Sequence, residues 1–244
     1  MAIYYLCSGF GTEHCFVNKF GELLSADLKF RNKLVVIPCT DNYEELNSHI
    51  DFFSDQLAEI DIEFEETILL TDDMFSEEMN NHIKTADMIY LTGGYPFIQR
   101  NFIFDNRLSK SLLDFSGVML GISAGAMNMS KRIIMVTDGI NSDETRVENG
   151  LGVVDFSVFP HCAFSGDEFA KTFHIGDDTV VSEKLLEASQ GKEPVYFLQN
   201  KNEKNELKIS FIRTANGETH FLSIYDGKIW TATANGFEIV DTYI

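Results

Sequence analysis

The first half of this sequence alternates between short apolar runs and segments with the spacing of helices. Five runs are short and apolar enough to be buried β-strands, at 3–7, 33–37, 64–70, 87–91 and from Val118 onward. After the second run, apolar residues recur every three or four positions, the spacing of one face of an amphipathic helix: Tyr43, Leu46, Ile50, Phe53, Leu57 and Ile60. Strands and helices in alternation predict a parallel sheet that helices cover on both faces.

The pattern changes after Ser130 to one that is typical of antiparallel strands. We expect a surface loop in the polar segment 138–150 and a helix over 178–189. Three turn dipeptides then separate alternating runs, and each predicts a β-hairpin: Asn216-Gly217, Asp226-Gly227 and Asn235-Gly236. The whole pattern predicts one α/β domain over residues 1–244, a three-layer sandwich with a mostly parallel, flavodoxin-like sheet and antiparallel C-terminal hairpins.

Composition argues against several classes of function. The formal net charge is −19, from 19 basic and 38 acidic residues, which disfavours binding to nucleic acid or to an anionic membrane surface. No apolar run reaches the roughly 18 residues of a membrane-spanning helix, and the N-terminus lacks the basic and apolar regions of a signal peptide. The 4 cysteines lack C-x-x-C spacing and the 6 histidines lack ligand spacing. We expect a cytoplasmic protein with reduced thiols, no metal and no cofactor.

The segment G-I-S-A-G at 121–125 has the pattern G-x-S-x-G directly after the fifth apolar run. This pattern is typical of a sharp turn from a strand into a helix, which leaves the hydroxyl of the central serine exposed. Glycines permit the strained turn and the close backbone packing around it. The segment predicts that Ser123 is a nucleophile, with a turn that serves packing alone as the alternative.

A serine nucleophile needs a base and a group that stabilises the oxyanion. In an open parallel sheet, reactive groups gather at the carboxyl ends of the strands. Gly93 and Gly94 follow the fourth run, and His161 follows a strand predicted over 151–159. We therefore expect His161 to be the base, and the backbone N–H groups of Gly93, Gly94 and Ala124 to form an oxyanion hole.

A carboxylate usually orients the imidazole in such a site. Asp138 is the first choice, because it follows the short apolar segment after the serine and stands between Ser123 and His161 in the sequence. The alternative is that Asp138 is a carboxylate in a solvated acidic loop, and the same alternative applies equally to its neighbours Asp143 and Glu144.

Three motifs together resemble those of the peptidase E (aspartyl dipeptidase) family. They are Y-L-T-G-G-Y at 90–95, G-I-S-A-G-A at 121–126 and V-D-F-S-V-F-P-H at 154–161. The resemblance implies a serine peptidase with the class I glutamine amidotransferase-like fold. It also implies that Ser123 is the nucleophile, His161 the base, and Asp138 or a residue very near it an acid needed for activity, with Gly93 and Gly94 as oxyanion donors.

The sequence departs from the pattern of that family in two places. The late glutamate that can complete a triad there falls on Gln199 or Asn200 here, unless an insertion brings Glu203 into place. The arginine-rich segment expected after the histidine, which suits an aspartyl substrate, is replaced by A-F-S-G-D-E-F-A-K-T-F-H, in which Lys171 is the one lysine or arginine. The acid and the preference for aspartate therefore stay open.

These inferences predict a cytosolic serine peptidase that hydrolyses short peptides through an acyl-enzyme. It would be dipeptidase-like, with N-terminal aspartate as one candidate specificity. The expected partner is a small peptide substrate, with neither nucleic acid nor membrane, and a homodimer is left open. The alternative is a non-catalytic ligand- or peptide-binding protein that keeps the fold with a degraded triad. A glutaminase is disfavoured, since that chemistry normally has a cysteine at the position of Ser123.

Overall fold

The computed structural model describes residues 2–10, 14–138, 143–165, 168–175, 178–202 and 206–243. The helices in these ranges are α1 (Lys19–Asp27), α2 (Tyr43–Ala58), α3 (Ser76–Thr85), α4 (Pro96–Asp105), α5 (Ser109–Leu113), α6 (Ala124–Met129) and α7 (Ser182–Ala188). The strands are β1 (Ile3–Cys7), β2 (Lys33–Ile37), β3 (Glu66–Leu69), β4 (Met88–Leu91), β5 (Val118–Ile122), β6 (Arg132–Asp138), β7 (Asp143–Asn149), β8 (Ser157–Ser165), β9 (Glu168–Phe169), β10 (Thr172–Ile175), β11 (Asp178–Val181), β12 (Val195–Asn202), β13 (Ile209–Ala215), β14 (Glu218–Ile224), β15 (Ile229–Thr233) and β16 (Gly236–Val240).

The central sheet has seven strands in the order β14-β13-β1-β5-β4-β2-β3. The five strands from the first half of the chain are parallel, and β13 and β14 extend the sheet in antiparallel fashion beside β1. This arrangement confirms the predicted α/β class with a mostly parallel sheet. Because the parallel strands point the same way, the residues that follow β1, β4 and β5 lie at one edge of the sheet.

Helices pack on both faces of this sheet, as the alternating pattern predicts. Successive residues of β2 point to opposite faces, so Leu34 packs with α1 and α2 whereas Val35 packs with α3, α4 and α6. The apolar stripe of α2 is buried against the sheet through Leu46, Ile50, Phe53 and Leu57. Each such side chain contributes about 1.5–3 kcal/mol when it is fully buried.

Two smaller sheets complete the structure, in the orders β10-β11-β6-β7 and β16-β15-β12-β8-β9. A third apolar cluster joins them and includes Ile134, Phe159, Phe197 and Trp230. In the second of these sheets β8 and β12 are parallel, whereas the other pairs are antiparallel.

The register between β8 and β12 shifts twice within a few residues. Phe159 lies opposite Phe197 and Cys162 opposite Gln199, so β8 holds one extra residue between these pairs. Ala163 then lies opposite Lys201, so β12 holds one extra residue, Asn200. Bulges of this kind re-aim side chains next to active sites.

Four sequence-based expectations about local structure are wrong, at 138–150, 151–159, 178–189 and 226–227. The strand expected over 151–159 begins only at Ser157, as β8, and runs through His161. The end of the polar segment 138–150 forms β7, which pairs with β6 in a hairpin. β7 is an edge strand rich in charged residues, and its one large apolar side chain, Val147, is 40% exposed, so it carries no alternation that marks a strand. Residues 178–181 form β11, and the expected helix begins only at Ser182.

The turn dipeptides predict two of the three hairpins. Asn216 and Gly217 both have positive φ, at 56° and 81°, and join β13 to β14, and Asn235-Gly236 joins β15 to β16. The prediction at Asp226-Gly227 is wrong, because β14 stays in the central sheet whereas β15 pairs with β12 in another. Of the helices in the described ranges, none has both the length and the apolar character that crossing a bilayer requires.

Candidate active site

Ser123 stands at the bend between β5 and α6, where the sequence predicts it. Its φ of 52° and ψ of −110° are unusual for a residue with a side chain, as expected of a strained strand-to-helix turn. The backbone N–H of Ser123 donates to the Cys7 carbonyl at 2.9 Å, which ties the turn to β1. At Gly125 a Cβ would lie 2.1 Å from the Leu91 carbonyl oxygen, so α6 can approach β4 this closely only with glycine there.

The His161 imidazole lies directly against Ser123. The Nε2 atom is 2.7 Å from the Ser123 Oγ, a distance typical of a strong hydrogen bond. His161 occupies the bulge of β8 and has a positive φ of 59°, which turns its side chain toward the carboxyl edge of the central sheet. Its backbone N–H donates to the Ser8 Oγ at 2.7 Å, so the residue after β1 holds the bulge in place.

Burial and a nearby lysine set the protonation of His161. Desolvation, together with the positive charge of Lys201, lowers the pKa of His161 to about 4. The imidazole is therefore neutral at neutral pH and can accept a proton. The same surroundings destabilise the imidazolium that forms when His161 accepts a proton. Among the described residues, the group that faces Nδ1 carries no charge that would offset this cost.

That group is the side-chain amide of Asn200, the extra residue in β12. The Asn200 Nδ2 lies 3.3 Å from the His161 Nδ1, whereas the Asn200 Oδ1 is buried and has no hydrogen-bond partner among the described residues. The two ends of an amide are assigned from their hydrogen bonds. Exchanging them places Oδ1 against Nδ1, where it accepts the Nδ1–H. In that orientation Nε2 is left as the acceptor that a base must present, and Nδ2 takes the buried position that has no partner among the described residues.

The structure separates Gln199 from Asn200, which the sequence alone leaves as alternatives. Gln199 is buried, and its Oε1 accepts from the Lys228 N–H at 2.9 Å, so it serves the packing of β12 against its neighbours. Asn200 is the one that contacts the base. No spacing rule distinguishes them, because the double shift in register decides which side chain faces the site.

The glycine pair after β4 lies beside the nucleophile. A Cβ on Gly93 would be 3.4 Å from the Ser123 Cβ. Gly94 has a φ of 140° and its Cβ would lie 2.3 Å from the Cys39 Sγ, so only glycine suits this position. Among the described residues neither glycine donates its N–H to a backbone carbonyl. Ala124 begins α6, so its N–H has no acceptor within the helix.

The carboxylates that the sequence suggests have side chains outside the part of the chain that the structure describes. Asp138 ends β6, but its side chain is among these, as are the side chains of Asp143 and Glu144. Glu203 lies outside the described residues altogether. A role for any of these carboxylates stays a prediction. Lys171 is exposed before β10 and is not among the described residues that line the cavity at Ser123.

A cavity of about 380 Å³ opens beside Ser123 and His161. Five aromatic side chains form one wall of it, Phe10, Phe16, Phe52, Phe53 and Tyr90, and the exposed His49 also lines it. The apolar stripe of α2 predicts a core face, which is correct for Phe53, but the same helix also borders this cavity. Phe52 is the residue that could have indicated the cavity, because it is apolar but lies next to the buried stripe, where packing against the sheet does not require an apolar side chain.

A serine on a strained strand-to-helix turn, an imidazole at hydrogen-bond distance and backbone N–H groups beside them are features typical of serine hydrolases. All three lie at the carboxyl edge of the parallel strands, where such sheets bind their ligands.

Comparison with known proteins identifies the family. The chain belongs to peptidase family S51, the peptidase E family, whose model matches residues 8–210. This membership supports a peptidase, a hydrolase. No protein with a curated description matches the sequence.

Solved structures share the fold. A peptidase from an acI-B1 Actinobacterium superposes with a TM-score of 0.69 at 17% identity, over 100% of this chain and 96% of that one. A candidate peptidase E protein from Listeria monocytogenes EGD-e superposes with a TM-score of 0.62 at 18% identity, over 92% of this chain and 99% of that one.

Proposed function

We propose that this protein is a serine peptidase that hydrolyses short peptides through an acyl-enzyme. The observation that carries the proposal is the 2.7 Å contact between the Ser123 Oγ and the His161 Nε2 at the strained turn after β5. Family membership supports peptide hydrolysis as the reaction class. The cavity of about 380 Å³ suits one or two residues of a peptide and not a folded protein, which favours a dipeptidase-like activity.

In the first half of the reaction, the Ser123 Oγ attacks the carbonyl carbon of the scissile bond while the His161 Nε2 takes the hydroxyl proton. The carbonyl oxygen becomes an oxyanion, which the N–H groups of Gly93, Gly94 and Ala124 stabilise. Each such donor typically contributes about 3 kcal/mol to the transition state. The C–N bond then breaks as His161 returns the proton to the leaving amine. In the second half, water gives its proton to His161 and attacks the ester carbon, and Ser123 recovers its proton as the C–O bond breaks.

Asn200 has the role of a positioning residue in this scheme. Its Oδ1 accepts the His161 Nδ1–H and so selects the tautomer whose Nε2 can take a proton. A neutral asparagine in the third position has a precedent in the Cys-His-Asn arrangement of papain-like proteases. Asp138 remains the candidate carboxylate from sequence, with Glu203 as its alternative, and either would add charge that Asn200 lacks.

The cytoplasm is the compartment we propose for this activity. The four cysteines are buried thiols, and burial raises the pKa of Cys7 and Cys162, which keeps both protonated and unreactive. Buried, reduced thiols suit a reducing compartment.

Labelling with a fluorophosphonate tests the proposal. We expect a covalent adduct on Ser123, located by mass spectrometry, that Ser123→Ala abolishes and His161→Ala weakens. Ser116→Ala is the matched control, because Ser116 is exposed at the other end of β5 and should not affect labelling. Absence of an adduct between about pH 6 and pH 9, in protein that still binds peptides, would favour the non-catalytic binding protein instead.

A further inference from the structure

We propose that the cavity beside Ser123 selects peptides whose acyl residue, the one whose carbonyl Ser123 attacks, carries a large apolar side chain. The inference rests on the proposed peptidase function and adds the class of substrate. Gly93 and Gly94 line the same cavity as the aromatic side chains. In the proposed mechanism these glycines bind the carbonyl oxygen of the acyl residue, and we infer that the side chain of the same residue packs against the aromatic wall.

The wall is held in place by contacts between its own rings. The Phe53 and Tyr90 rings stack with centroids 4.1 Å apart, and Phe16 meets Phe53 edge to face at 5.7 Å. Phe10 in turn packs edge to face on Phe16 at 5.0 Å. A surface of interlocked rings loses little freedom when it binds an apolar group, so the cavity is preorganised for one.

Two polar groups of the wall, Gln56 and Thr92, are committed to the protein itself, whereas the exposed His49 also lines the cavity. The Gln56 Oε1 accepts from the Cys15 N–H at 2.7 Å, and the Thr92 hydroxyl donates to the Ile37 carbonyl at 3.2 Å. No lysine, arginine, aspartate or glutamate lies among the described residues that line the cavity. A substrate carboxylate there would lose water without gaining an ion pair, which is costly.

Lys201 is the cation that this inference must exclude. Its charge lowers the pKa of His161, so its field reaches the site, but it is exposed and lies outside the described lining of the cavity. An aspartyl substrate that pairs with Lys201, or with the exposed His49 that lines the cavity, is therefore the competing outcome.

A panel of dipeptides distinguishes the two. With Xaa-Ala substrates in which Xaa is Phe, Leu, Asn, Asp or Lys, we expect kcat/KM for Phe and Leu to exceed that for Asp by about tenfold or more. Reversing the order to Ala-Xaa should make the dependence on Xaa much weaker. Equal or faster hydrolysis of Asp-Ala, or a preference that follows the leaving residue, would overturn the inference.

A charge placed in the wall should change the preference. Phe52 is 42% exposed, so Phe52→Arg is expected to fold, to lower kcat/KM for Phe-Ala and to raise it for Asp-Ala, which reduces the ratio about tenfold. Phe30→Arg is the matched control, because Phe30 is 69% exposed and precedes β2 at the opposite edge of the sheet. An unchanged ratio in Phe52→Arg would contradict the inference.

Labelling of Ser123 separates failure of the inference from failure of the proposed function. Wild-type protein that gives no Ser123 adduct would refute the peptidase proposal itself. Protein that gives the adduct but hydrolyses all five dipeptides alike would refute only the apolar selectivity. Normal labelling in Phe52→Arg shows that the variant is folded, so its altered ratio reports on the cavity wall.

Discussion

The two halves of the candidate site are built in different ways. Ser123 and the glycine pair follow regular parallel strands, and close backbone packing against β1 and β4 positions them. His161 and Asn200 lie on β8 and β12, where two shifts in register turn their side chains toward the site. In a regular strand, the position of a residue in the sequence predicts where it lies at the sheet edge. In a bulged strand, that prediction also requires the register between the strands.

Loss of the base should have the largest effect on activity. We expect His161→Ala to lower kcat/KM by about 10⁴-fold or more, because the serine hydroxyl is then left without a proton acceptor. Hydrolysis of a peptide that the wild type cleaves measures this directly. His220→Ala, on the edge strand β14, should retain wild-type activity. Similar losses in both variants would mean that His161 has no special role.

The packing around Ser123 should be destabilised by any side-chain volume added at Gly125. Gly125→Ala places a methyl group 2.1 Å from the Leu91 carbonyl oxygen, so we expect it to lower the free energy of unfolding by about 3 kcal/mol or more. Gly152→Ala is the control, with a φ of 69° but nothing within 4 Å of the added Cβ, and should cost only about 1 kcal/mol. Urea unfolding of both variants makes the comparison. Equal losses would show that backbone conformation, and not the close approach of α6 to β4, limits that position.

Catalysis should depend on Asn200 because Asn200 orients the His161 imidazole. We expect Asn200→Ala to lower kcat about 10- to 100-fold with little change in KM, since the His161 Nδ1–H loses its acceptor and the tautomer is no longer selected. Asn47→Ala, at an exposed position of α2, should have no effect. If Asp138→Asn lowers kcat far more than Asn200→Ala does, the aspartate is the main orienting group.

The lowered pKa of His161 should also have a smaller effect, on the pH dependence of the free energy of unfolding. The folded-state pKa of about 4 lies below the ordinary value, so the unfolded chain binds the proton more readily. The stability that neutral His161 provides is complete above about pH 6.5 and is lost as the pH falls toward 4. We expect His161→Gln to lose less stability than the wild type over this range. Parallel curves of unfolding free energy against pH would show that His161 titrates normally.

The contrast between regular and bulged strands explains which parts of the fold and of the site could be predicted from the sequence. The parallel half follows from apolar runs and helical spacing, and the placement of Ser123 and the glycine pair follows from it. His161 is identifiable because an apolar segment precedes it, although β8 begins only at Ser157 and runs through His161. Asn200 is not, because the register shifts that separate it from Gln199 arise from packing between distant strands.

The aromatic wall of the cavity and the pairing of the C-terminal strands could not be predicted from the sequence for the same reason. Helical periodicity cannot distinguish a face that packs on a sheet from one that also borders a cavity. The dipeptide Asp226-Gly227 has the chemistry of a hairpin turn, but pairing of β15 with β12 decides where the chain goes. Local signals predict elements, whereas contacts between distant elements decide their partners.

Among the described residues, a neutral asparagine, Asn200, faces the base that we propose activates Ser123. The pH dependence of fluorophosphonate inactivation at Ser123 tests this central claim most directly. The wild type should lose reactivity only as the pH falls through about 4, the pKa of His161. Asn200→Asp should raise that midpoint by about 1–3 units, because a carboxylate stabilises the imidazolium. A wild-type midpoint at about pH 6.5 or above that Asn200→Asp leaves unchanged would contradict the claim.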